Sequence, residues 1–117
     1  MTNWLRHRTL PAYNGFISWL LHGAWPFVVF PSVIFIIALI LKWSVIEFAM
    51  LSVMSAILIV TEMINYAIER ICDLIELNYD GRIKLIKDVA AGAVAVSAFG
   101  LMMCFGFILF GHFFRGY

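Results

Sequence analysis

The chain has 117 residues, of which 64% are hydrophobic and only 13% charged, and its formal net charge is +1. Soluble domains carry roughly a quarter charged residues, so this composition excludes an ordinary soluble domain. The near-zero charge offers no electrostatic footprint for nucleic acid, and the length accommodates a single small domain.

In chain order, residues 1–24 hold a basic and aromatic segment, "MTNWLRHRTLPAYNG". Trp4, Leu5, Leu10 and Tyr13 among Arg6 and Arg8 predict an interfacial amphipathic helix, interrupted at Pro11. No small-residue cleavage site closes the apolar run that follows, so that run is expected to be a retained span. A bilayer core needs about 20 apolar residues in a helix, and three segments supply them. The first span is expected over residues 26–43, with Pro26 and Pro31 marking its start or kinking it. The second is expected over 46–69, with a cytoplasmic extension to 77. These two are joined by little more than "KWSV" and should form a tight antiparallel pair. The third is expected over 88–114, after the turn signal Asp80-Gly81. Its opening "VAAGAVAVSAFG" is rich in small residues, which let helices approach closely in lipid and suggest the bundle centre or a subunit interface. Cys72 and Cys104 stand far apart in apolar context and are expected to be free.

Lysine and arginine counts set the orientation. Arg6, Arg8, Arg70, Arg82, Lys84 and Lys87 fall on one side, Lys42 and Arg115 on the other. The N-terminus and the second loop are therefore expected in the cytoplasm and the C-terminus outside.

The second span ends in "TEMINYAIERICD". At about 100° per residue, Glu62, Asn65, Glu69, Asp73 and Glu76 form one narrow stripe. If the bilayer boundary lies near Glu69, Glu62 sits roughly 10 Å deeper at 1.5 Å per residue. Ionisable groups at that depth face a cavity or a partner and mark functional sites. Carboxylates stacked on one face repel, so either one holds its proton or a cation lies between them. Magnesium takes one or two carboxylates together with phosphate and water oxygens, and the basic segment "GRIKLIKD" that follows suits the anion. No Walker-type phosphate loop is present.

These residues carry a family resemblance. "EMINYAIERICD" followed by "IKDVAAGAV" resembles the small prokaryotic diacylglycerol kinase and undecaprenol kinase family, whose hallmark is E-x-x-N-x-A-[IV]-E-x-x-x-D, then K-D-x-[AG]-[AS]-[AG]-A-V. The matching positions are Glu62, Asn65, Ala67, Ile68, Glu69 and Asp73, then Lys87, Asp88, Ala90, Ala91, Gly92, Ala93 and Val94. A weaker echo is Ala12 and Gly15, where the family has A-x-x-G in its surface helix. The resemblance implies an all-α membrane protein with an N-terminal interfacial helix and three transmembrane helices, assembled as a homotrimer in the bacterial inner membrane. It implies ATP and magnesium as cofactors and a membrane lipid alcohol as acceptor, either diacylglycerol or a polyprenol. By the same resemblance Glu62 is the general base and Glu69 a magnesium and ATP ligand. Asn65, Asp73, Lys87 and Asp88 would then line the nucleotide site.

One departure stands out. The family has a glutamate eight residues after the glycine of A-x-x-G and an arginine four residues further on, whereas this chain has Gly23 and Phe27. Between Arg8 and Lys42 no aspartate, glutamate, lysine or arginine occurs, leaving His22 or Glu76 as candidate substitutes. Two other readings follow from the same residues. A diverged member could have an altered substrate or act as a non-catalytic membrane scaffold. A small proton- or ion-coupled transporter could use Glu62 as its intramembrane carboxyl.

Overall fold

A computed structural model describes residues 2–75 and 80–115, with side chains described over 9–75 and 80–114. The chain is all-α, and no strand occurs among the described residues. Its helices are α1 (Thr2–Trp19), α2 (Pro26–Ile40), α3 (Val45–Ile75) and α4 (Gly81–Arg115).

The helix ends follow from local chemistry. α1 runs unbroken through Pro11, contrary to the interruption expected there. The break comes instead at a π-type turn, Leu20–Ala24, where Gly23 takes φ +100°. A side chain is strained in that left-handed region and glycine is not. The turn bends the chain by 91° between residues 9–24 and α2. Pro26 opens α2 at its first position, where its missing N–H is no loss, and Pro31 is carried inside the helix without a break. α3 starts in a capping box. The Glu47 N–H donates to Ser44 Oγ at 3.2 Å, and the Ser44 N–H donates to Glu47 Oε1 at 2.8 Å. Asp80 caps α4, accepting the Arg82 N–H on Oδ1 at 2.8 Å. That cap starts the helix at Gly81, so "RIKLIKD" lies on the helix rather than in the connecting loop expected from the sequence.

α3 and α4 are about 46 and 52 Å long at 1.5 Å per residue, longer than the roughly 30 Å hydrocarbon core. Both are apolar enough to cross a membrane, and the bent α1–α2 pair makes a third span if counted as one. Most of the tertiary contact is between α3 and α4. α2 touches α3 less, through Ile34, Ala38 and the stacked rings of Phe35 and Phe48 at 5.8 Å. The tight pair is therefore α3–α4 rather than the first and second spans, because α4 alone matches the length of α3. Buried Leu51, Leu58, Leu101 and Ile108 form its core.

Apolar packing between helices gains little over lipid, and among the described residues three polar links tie the pair. Thr61 Oγ1 donates to Ser97 Oγ at 3.1 Å near mid-helix. Lys87 Nζ meets Asp73 Oδ1 at 2.9 Å near the loop. His112 Nε2 meets Glu47 Oε2 at 2.7 Å at the far end.

The radius of gyration is 17.9 Å, against about 13 Å for a globular chain of this length. The excess reflects open apolar faces. Val45, Leu74, Val96, Phe99 and Phe107 are exposed, and so are the small residues Ala91, Gly92, Ala93 and Ala95. Faces of this kind suit lipid or other helices rather than water.

Candidate active site

The stripe lies on the C-terminal half of α3. Glu62 is half-buried, Asn65 is buried, and Glu69 and Asp73 are exposed. Burial within the chain is greatest at Asn65 and lowest at Glu69 and Asp73. Asn65 Nδ2 donates to Glu69 Oε1 at 3.4 Å, and Glu62 is close enough to interact with both Asn65 and Glu69. The Asn65 Oδ1 atom is buried without a hydrogen-bond partner. Such an atom costs about 1–3 kcal/mol; Trp19 Nε1, Trp43 Nε1 and Ser55 Oγ are likewise buried without a partner, but Asn65 Oδ1 alone of these lies beside two carboxylates.

Asp73 and Lys87 are joined across the helix pair by their 2.9 Å ion pair. Asp88 is not drawn into the stripe. It pairs with Lys84 Nζ at 2.6 Å, one turn back on the exposed face of α4. Lys87 and Asp88 therefore point differently, one toward α3 and one outward. Glu76 lies outside the described residues.

His22 reaches the stripe's edge but not its carboxylates. It sits in the π-type turn, and its Nδ1–H donates to the Ser18 carbonyl at 2.6 Å. Its ring lies 6.1 Å from that of Tyr66 on α3. The Arg70 guanidinium stands 5.7 Å from the same Tyr66 ring. Sequence reasoning counted Arg70 only among the charges that set orientation and passed over Tyr66, although their i, i+4 spacing is a signal for contact on a helix.

The donors available to a metal are all oxygens, namely the Glu69 carboxylate and the unpartnered Asn65 Oδ1. Among the described residues, no group of three or more histidine, cysteine, aspartate or glutamate side chains could hold an ion alone. That set fits magnesium brought in by phosphate, which needs only one or two protein carboxylates. It does not fit a cation held wholly by protein.

At the other end of α3–α4 lies a second polar group, also passed over in the sequence. His112 Nε2 stands 2.9 and 2.7 Å from the two Glu47 carboxylate oxygens. The His112 ring stacks on buried Trp43 at 5.4 Å and 6°. The "SVIE" capping box was the signal for Glu47, and only the antiparallel pairing of long helices brings His112 to it.

A family model described as prokaryotic diacylglycerol kinase matches residues 16–109, most of the chain and all of the stripe. No curated protein and no solved structure matches it.

Proposed function

Since the chain belongs to the prokaryotic diacylglycerol kinase family, we propose that it transfers the γ-phosphate of ATP to the hydroxyl of a membrane lipid, diacylglycerol or a polyprenol, at the cytoplasmic interface. The observation that carries this reading is the Glu62–Asn65–Glu69 stripe, with the buried oxygen of Asn65 unpartnered beside two carboxylates.

Glu62, at the end of the stripe farthest from the connection to α4, would meet the lipid hydroxyl and serve as general base. It takes the hydroxyl proton as the lipid oxygen bonds to the γ-phosphorus. The bond from that phosphorus to the bridging oxygen breaks, and ADP leaves with the electron pair. Phosphoryl transfer relies chiefly on positioning and charge stabilisation, and a base in hydrogen-bond reach adds to this. Glu69 and Asn65 would hold magnesium, which neutralises phosphate charge when bound. Asn65 also orients Glu69 through its amide. Asp73 and Lys87 brace the helix pair beside the nucleotide, and Asp88, paired with Lys84 on the outer face of α4, would have to leave that pair to reach it. His22, in the turn after α1 with its ring 6.1 Å from that of Tyr66, takes a polar part that the absent glutamate would otherwise fill. A homotrimer would cover the open faces of α4 and could bring further side chains to the stripe.

The test is radiolabelled phosphate transfer from ATP with magnesium to diacylglycerol and to undecaprenol in detergent. Transfer to one lipid, removed by a magnesium chelator and by Glu62→Gln, is the expected outcome. No transfer to either, or a Glu62→Gln variant indistinguishable from wild type, sinks the assignment.

A second reading is favoured by the lack of any carboxylate between Arg8 and Lys42. On it, the chain is a non-catalytic member acting as a membrane scaffold. Calorimetry with ATP and magnesium separates the two, because a scaffold binds neither. The transporter reading predicts solute flux in proteoliposomes without ATP.

A further inference from the structure

The cations around the stripe are not equivalent. Arg70, Arg82, Lys84 and Lys87 are the described lysine and arginine side chains on that side of the molecule. Three of them already hold a carboxylate: Arg82 meets Asp80 at 3.1 Å, Lys84 meets Asp88 at 2.6 Å, and Lys87 meets Asp73 at 2.9 Å. Among these, Arg70 alone forms no ion pair. Its guanidinium rests by the Tyr66 ring, and it lines a recess of about 260 Å³ with Asp73 and Leu74.

Position adds to this accounting. On α3, Arg70 lies about 40° from Tyr66 and about 60° from Asp73, on the flank of the stripe where His22 approaches. The Tyr66 contact orients a planar group with five donors, the geometry that recognises phosphate oxygens. A polyphosphate beside Glu62 and Glu69 meets strong negative charge. Drawing Lys87 or Lys84 to it requires breaking an ion pair, and using Arg70 does not.

We propose that Arg70 binds the phosphates of the nucleotide, from the side of the stripe that faces the first helix. The inference rests on the kinase reading and adds to it a residue that the hallmark pattern leaves open. The chemistry recognised is phosphate oxygen, and the source is the nucleotide rather than an anionic lipid headgroup.

The experiment uses the full chain in neutral detergent without phospholipid. Binding of a non-hydrolysable ATP analogue with magnesium is measured by calorimetry for wild type, Arg70→Ala, Arg70→Lys and Arg82→Ala. Arg70→Met, which keeps the aliphatic stem, replaces the alanine variant if gel filtration shows that one to be misfolded. Arg70→Ala should weaken binding by about 10–100-fold, as loss of a charge-assisted contact does. Arg70→Lys should recover part of the loss, and Arg82→Ala, which removes the same charge, should bind like wild type. In the transfer assay the KM for ATP rises while the KM for lipid stays put. Unchanged analogue binding by the folded Arg70 variant, when the wild-type chain does transfer phosphate, overturns the role of Arg70 and leaves the kinase reading standing. So does a loss that appears only when anionic lipid vesicles are added. A wild-type chain that neither binds the analogue nor transfers phosphate overturns both.

Discussion

The two ends of the α3–α4 pair use the same kinds of side chain for opposite ends. At one end, Glu47 is closed by His112 and by the Ser44 N–H, and the imidazole is backed by Trp43. At the other, Glu62 and Glu69 stand together with no cation from the described residues paired to either, and with an amide oxygen between them unmatched. Polar groups satisfied within the chain hold a membrane fold together. A carboxylate pair without a cation suits a ligand from outside the chain. The difference lies in partnering and not in residue type.

Breaking the open end should leave the fold and remove the chemistry. Glu62→Gln should lower phosphate transfer by about 10²–10⁴-fold, the usual share of a general base, with the thermal midpoint unchanged or raised. A parallel loss of stability would erase the contrast between the two ends. Asn65→Ala should weaken magnesium-dependent nucleotide binding by about 10–100-fold, the range for groups that orient a metal ligand, as read by calorimetry.

Breaking the closed end should do the reverse. His112→Ala leaves Glu47 short of its partner and should cost about 1–3 kcal/mol, seen as a lower unfolding midpoint in detergent. The KM for ATP of the folded fraction should not move. The smallest effect belongs to the loop between the helices. The Arg82 hydrogen bond holds the Asp80 carboxyl below its usual range. A carboxyl so lowered stabilises the fold above its ordinary titration point and loses that contribution as pH falls through the lowered value. The midpoint of the wild type should therefore fall slightly on acidification below about pH 4, and Asp80→Ala should flatten that slope.

Much of this was legible in the sequence for definite reasons. Apolar runs exposed the long helices, and a single turn angle aligned Glu62, Asn65, Glu69 and Asp73. What stayed hidden depended on which helices pair and where each begins. The Asp80 cap moved the start of α4 back over its basic segment. That shift put Lys87 against Asp73 and turned Asp88 to Lys84 instead. The bend at Gly23 could not be placed by looking for prolines, since Pro11 and Pro31 both ride inside helices. Glu47 and His112, 65 residues apart, meet only because α3 and α4 run their full lengths side by side.

The three polar links between those helices span 65, 36 and 14 residues of sequence. From the far end to the loop, both strands of the hairpin are used up at nearly the same pace. The links thus act as rungs set at matched heights, and what they police is length. Adding one residue to α4 between two rungs would turn everything beyond it by about 100° and swing Ser97 or His112 off its mark. Exposed residues on these helices should accept many substitutions in a library of variants. Insertions and deletions there should be purged almost without exception.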